Sequence, residues 1–171
     1  MDASRHASRG HAPGTNEKHY LAGALELATG TLHHGCGPRK TSGLFLELLQ
    51  TLEAAYPTTQ FYRIYVVADN YKIHKAKVVE QWLANHPRLT LLFLPTYCPR
   101  ANPIERAFGD VHDLCTRNHK RQRLRDLVAD VVDHLHMNGP WRYKLSQIYY
   151  EPAVTAAVEK LAAAEPSKVA A

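Results

Sequence analysis

Two short apolar runs, FYRIYVVAD (Phe61–Asp69) and LTLLFL (Leu89–Leu94), stand on either side of a stretch with helical spacing. In that stretch, Lys75 to Asn85, Val79, Trp82 and Leu83 fall on one face, and Pro87 marks its end. A strand, a helix and a strand in this order bring the chain back to the same end of a sheet, so this segment alone commits the fold to an α/β arrangement. The nearly continuous apolar second half of Phe61–Asp69 predicts an inner strand covered on both faces.

The flanking segments fit around that unit. Lys18–Leu27 and Thr31–Cys36 read as two strands joined by Ala28-Thr29-Gly30, a hairpin-type connection. A polar loop, GPRKTSG, offers Thr41 or Ser42 as a helix cap. Leu44, Phe45, Leu48, Leu49 and Leu52 then predict an amphipathic helix to about Tyr56, stopped by Pro57. TYCPRANP carries two prolines and is read as a loop without regular structure. Helical periodicity resumes from Ile104 to about Asn118 and again over Leu124–Met137, where Asn138-Gly139-Pro140 ends it. The string is β-β-α-β-α-β-α-α around a mixed sheet. With 171 residues the chain suits one core. Its expected divisions are a flexible leader (1–12), a catalytic domain (13–137) and a partly helical C-terminal tail (138–171).

Composition excludes several classes. No apolar run approaches the roughly 20 residues of a membrane helix, and the leader MDASRHASRGHA lacks an apolar core for export, which predicts a cytoplasmic protein without membrane partners. Cys36, Cys98 and Cys115 are scattered, with no CxxC pair, so reduced thiols are expected rather than a disulfide framework or zinc cluster. A net charge of +5 and a pI near 9.2 make nucleic acid a natural partner, because phosphates bind such surfaces with release of counterions.

The chemistry centres on the end of the first run. In open α/β sheets reactive groups gather beyond the carboxyl ends of the strands, where Asp69 sits. The competing reading is that Asp69 merely starts a turn, as Asp-Asn readily does. Glu105 follows ANPIE's prolyl turn and opens a helix; the intervening residues 70–104 hold one helix, one strand and one loop and so return to the same sheet end. Two carboxylates converging there suit a hard cation such as Mg²⁺, which takes oxygen ligands. A pair of such ions can activate a hydroxyl and stabilise the leaving oxygen at a phosphodiester.

VVADNYKIHKAK, then FLPTYCPRANPIERAFGDVH and TRNH (Thr116–His119), resemble the DDE transposases of bacterial insertion sequences related to mariner. PGTNEKHYLAGALELATG and RKTSGLF are similar to that family too, and the likeness runs from about Pro13 to Met137. The resemblance implies a ribonuclease-H-like fold in which three acidic residues bind two Mg²⁺ or Mn²⁺ ions. Asp69 corresponds to the second acidic residue and Glu105 to the third. It also implies DNA cleavage and strand transfer at transposon ends, and dimeric assembly on DNA. Asn70 and His74 match motif positions whose reading from sequence is a turn former and a helix-start residue. Lys72, Lys75, Arg100, Arg106, Arg117, Lys120 and Arg121 read either as solvated helix faces or as a cradle for DNA phosphates.

The first acidic residue should lie on a strand preceding PGTNEKHY, where only the polar leader stands, and Asp2 has no apolar surroundings to make it a substitute. The expectation is therefore a sheet lacking its first catalytic strand, with Phe61–Asp69 left unpaired along one side. Such a chain is expected to be inactive alone and to be completed by a partner polypeptide. The alternative is a catalytically inactive DNA-binding or interaction fragment derived from a transposase. The pair His33-His34 with Cys36 is not expected to bind metal, since neighbouring strand residues face opposite ways.

Overall fold

The computed structural model describes residues 17–95 and 102–141. The expected leader, most of the expected tail and the loop residues 96–101, with Cys98 and Arg100, lie outside the described residues. β1 (Tyr20–Leu25) and β2 (Leu32–Gly37) form an antiparallel hairpin with Tyr20 opposite Gly37. Its turn is wider than the three residues expected: the Glu26 N–H donates to the Thr31 carbonyl and the Gly30 N–H to the Glu26 carbonyl, both at 2.8 Å. Gly30 turns the chain at φ 79°, a conformation a side chain resists.

α1 (Ser42–Ala55) is capped by Thr41, whose Oγ1 accepts the Leu44 N–H at 3.3 Å. It buries Leu44, Phe45, Leu48, Leu49 and Leu52, the stripe the spacing predicts. β3 (Ile64–Ala68), α2 (Lys77–Ala84) and β4 (Leu89–Phe93) make the expected crossover unit, with β3 and β4 parallel and Ile64 opposite Leu89. α3 (Ile104–Val111) is shorter than predicted. Its continuation, His112–Thr116, widens into a π-helical turn closed by the Arg117 N–H on the His112 carbonyl at 2.7 Å. α4 (Leu124–Met137) has the predicted bounds and buries Val131 and Leu135.

Two apolar clusters hold these elements. The first joins α1, Val79 of α2 and Leu89 of β4, with Ala22 and Ala24 of β1, Ile64 and Val66 of β3 and Leu91 of β4 packed against it. The second joins Ala107 and Val111 of α3, Val131 and Leu135 of α4, and Trp141, with Leu21, Leu25 and Leu32 of the hairpin. Trp141 is locked in by its backbone N–H on the Gly30 carbonyl at 2.8 Å and its indole N–H on the Leu135 carbonyl at 3.2 Å. Each buried leucine of these clusters contributes about 1.5–3 kcal/mol.

The strands do not make one ladder among the described residues: the hairpin is one two-stranded sheet and β3–β4 another. Both rest on α1. Among the described residues β4 is the strand that forms a ladder with β3. Nor is β3 covered on both faces as its composition suggests. Ile64, Val66 and Ala68 turn inward, whereas Tyr65 and Val67 are 45% and 49% exposed.

Candidate active site

Asp69 follows β3 directly, and its first neighbours explain its posture. Its Oδ1 accepts the Tyr71 N–H at 2.9 Å, the Asx turn that Asp-Asn favours. The same Oδ1 lies 3.0 Å from His74 Nδ1, which is also 3.2 Å from the Asp69 carbonyl. Both of these atoms only accept, so Nδ1 is the donor in these contacts. The His74 side chain is 17% exposed and packs with its ring tilted against Phe45 of the α1 core, centroids 4.3 Å apart, while the Asp69 side chain is 56% exposed. A core-anchored imidazole thus fixes one carboxylate oxygen of a group that otherwise faces water. Oδ2 takes part in neither contact.

Asn70 stitches the two parallel strands together at this end. Its amide donates to the Leu94 carbonyl, its Oδ1 accepts from Lys75, and the Leu94 N–H donates to the Ala68 carbonyl at 2.9 Å. Sequence reasoning gave Asn70 a turn role and read His74 as a helix-start residue; His74 instead lies in the turn before α2, which begins at Lys77. The half-buried His74 ring beside Phe45 is a tertiary contact that no local pattern announces.

Glu105 is exposed in the first turn of α3, where a carboxylate complements the helix dipole. Pro103 sets the entry at φ −66°, and the Glu105 N–H donates to the Asn102 carbonyl at 3.2 Å. α3 is seated on β1 at Gly23, where an added Cβ would stand 3.1 Å from both Ile104 Cδ1 and the Phe108 ring. Asp69 therefore hangs on the parallel pair, and Glu105 on a helix that leans on the hairpin. Among the described residues no three His, Cys, Asp or Glu side chains form a group able to hold a metal ion. Oxygen donors of this kind suit Mg²⁺ or Mn²⁺, but two carboxylates fall short of the three the family pattern expects.

The basic residues singled out from sequence divide. Arg121 is engaged by Asp130 in a two-pronged pair at 2.6 and 2.8 Å, which raises its pKa, and Arg117 lies 3.4 Å from Asp113. Lys75 bonds Asn70 and sits 4.8 Å over the Phe93 ring. Lys72, Arg106 and Lys120 are exposed. A convergence that sequence reasoning missed lies on the other side of Tyr71: Lys18, Arg39 and Lys40 line an open cleft with Tyr20, Pro38 and Tyr71. They come from separate segments, so no charge run marks them. His33 and His34 part as expected, His33 Nε2 to the Tyr56 hydroxyl at 3.0 Å and His34 Nε2 to His136 Nε2 at 3.3 Å. Cys36 and Cys115 are free thiols.

Set beside solved structures, the chain matches the catalytic core domain of BIV integrase with a TM-score of 0.50 over 82% of this chain and 89% of that one, at 19% identity. That likeness establishes the ribonuclease-H-like fold. The family model for DDE superfamily endonucleases matches residues 4–128. A curated relative, the insertion element IS630 uncharacterized 39 kDa protein of Shigella sonnei, is 37% identical over 129 residues, 75% of this chain and 37% of that protein. The chain belongs to the DDE superfamily, on its insertion-element side of IS630 and mariner type. It spans little more than a third of the length of that relative. No helix among the described residues is long and apolar enough to cross a membrane.

Proposed function

We propose that this chain supplies part of a metal-dependent centre for DNA strand cleavage and strand transfer at transposon ends. In this reading residues 13–137 are the catalytic domain, acting on DNA in the bacterial cytoplasm at the nucleoid. Asp69 and Glu105 are two of its acidic ligands. The ion, Mg²⁺ or Mn²⁺, would supply a polarised phosphodiester oxygen and an activated attacking hydroxyl. His74, packed against Phe45 of the core, holds Asp69 Oδ1, so the side chain meets a cation without first losing rotamer freedom. Pro103 and the first turn of α3 do the same for Glu105 by fixing the backbone that carries it.

The observation that supports this reading is the place of Asp69 at the carboxyl end of β3, a strand that among the described residues forms a ladder with β4. A further strand bonded to β3 would have its own end beside Asp69, and a carboxylate on it would complete the ligand set. That strand comes from another segment, from a second copy or from a complementing transposase fragment. Nicking of supercoiled plasmid in Mg²⁺ or Mn²⁺, by the chain alone and mixed with a fragment bearing an acidic strand, tests it. Loss of nicking in both Asp69→Ala and Glu105→Ala is expected. Nicking that survives both changes overturns the assignment. The lack of a three-ligand group among the described residues favours, as the second reading, an inactive DNA-binding fragment. DNA binding without nicking in Mn²⁺ under every mixture supports that one.

A further inference from the structure

The cleft beside Tyr71 is built from three separated pieces of chain. Lys18 and Tyr20 enter β1, Pro38-Arg39-Lys40 leave β2 on the way to the Thr41 cap of α1, and Tyr71 lies just beyond β3. The antiparallel register sets Tyr20 opposite Gly37, so the start of β1 and the exit of β2 are brought side by side by the hairpin ladder itself. The open space they enclose is about 570 Å³. Among the described residues three cations line it and no carboxylate does. Like charges gathered around one concavity repel one another, and an anion entering it relieves that repulsion.

Two contacts make this more than loose surface charge. The Lys40 ammonium sits 4.1 Å over the Tyr71 ring, which holds the cation in place through the ring face while leaving its N–H groups available. Tyr71 is in turn fixed by its backbone N–H on Asp69 Oδ1 at 2.9 Å. The carboxylate and the cleft are therefore mechanically joined through one Asx turn. Two residues of chain span at most about 7 Å, so the cleft opens within a few nucleotide steps of Asp69, each step being about 3.4 Å along a strand.

We propose that Lys18, Arg39 and Lys40, with Tyr71 as the support of Lys40, form a binding site for a backbone phosphate of the nucleic acid, next to the bond that Asp69 addresses. The proposal deepens the nuclease reading by naming where the DNA strand is gripped, and it rests on that reading only for the ligand being DNA. The shared chemistry is a phosphate group, and its sources are a polymer backbone or a free phosphate ion.

Fluorescence anisotropy of a labelled oligonucleotide with the whole chain in EDTA, over a series of salt concentrations, tests this without any cleavage. Arg39→Ala combined with Lys40→Ala is expected to weaken binding about tenfold or more and to lower the slope of log K against log salt by about 1–2, as loss of one or two phosphate contacts requires. Tyr71→Ala should weaken binding less, and Tyr71→Phe should restore it. Lys77→Ala, a lysine of α2 outside the cleft, reports the effect of net charge alone. Equal losses in Lys77→Ala and in the cleft variants overturn the proposal, as does a folded double variant with unchanged affinity and slope. Should the double variant fail to fold, by circular dichroism, Lys18→Ala takes its place with the same two outcomes. Inorganic phosphate added as competitor separates the sources: the backbone assignment predicts no displacement of the oligonucleotide at millimolar phosphate, and displacement there assigns the cleft to free phosphate and overturns it. Because the readout needs neither metal nor Asp69 and Glu105, failure of the nuclease reading would appear in plasmid nicking and leave this result standing.

Discussion

The hairpin β1–β2 sends Ala22 and Ala24 toward α1 and Leu21, Leu25 and Leu32 toward α3, α4 and Trp141, so both of its faces are used. The parallel pair β3–β4 has Ile64, Val66, Leu89 and Leu91 against α1 and α2, yet Tyr65 and Val67 of β3 stand about half exposed. Parallel strands are ordinarily covered on both sides, because their crossovers lay helices over each face. Among the described residues the parallel pair is thus the less covered half, and it is the half that carries Asp69. A half-exposed apolar face of this kind is what a covering layer would bury.

The most damaging change should be one that the two halves share. Leu49 is fully buried in the α1 core on which both sheets rest, and Leu49→Ala should cost about 2–5 kcal/mol in urea unfolding. Amide exchange should rise in hairpin and parallel pair together; a rise in only one would show that α1 is not their common support.

Gly23→Ala strikes the seat of α3 alone. Its Cβ meets Ile104 and Phe108 at 3.1 Å, so a loss of about 1–3 kcal/mol and a shift of the helix bearing Glu105 are expected. Gly43→Ala in α1 meets only Thr41 Oγ1, at 3.5 Å, and should be neutral or gain up to about 1 kcal/mol. Equal losses at the two glycines would mean that close approach is not what Gly23 provides.

Paired substitutions on β3 measure the asymmetry of its faces. Val66→Ala, on the packed side, should cost about 1–2 kcal/mol, whereas Val67→Thr, on the bare side, should change stability by less than about 0.5 kcal/mol and improve solubility. A large cost at Val67 would reveal a covering layer over that face.

The smallest effect concerns the clasp between β2 and α4. Burial, and then the neighbouring His136 and His33, hold the His34 pKa below its usual 6.5. The folded state therefore favours neutral His34, while the unfolded chain takes a proton as pH falls through 6.5. Stability should be full above that pH and decline below it until the folded-state pKa is passed. His34→Ala should flatten the decline, measured as urea midpoints between pH 7.5 and 5. An unchanged decline would assign it to other groups.

Much of this architecture was written locally. The leucine stripe of α1, the Thr41 cap, the strand-helix-strand unit and the bounds of α4 follow from spacing and capping chemistry, and Asp69 at a strand end followed from the switch to polar residues after Ala68. What escaped was tertiary. The apolar run of β3 suggested two covered faces, but composition cannot say whether a covering layer is present. Helical spacing beyond Val111 concealed a π-turn, since one extra residue in a turn leaves the apolar pattern nearly intact. The His74 brace on Asp69 and the meeting of Lys18, Arg39 and Lys40 depend on how separate segments approach.

The central claim is that Asp69, on the parallel pair, and Glu105, on the helix seated against the hairpin, serve one metal centre. Anomalous diffraction from crystals soaked in Mn²⁺ tests this most directly. The account predicts one Mn²⁺, or two about 3.5–4 Å apart, with oxygens of both carboxylates within about 2.1–2.3 Å of the metal. Carboxylates that stand more than about 10 Å apart, each beyond reach of the other's ion, would contradict it.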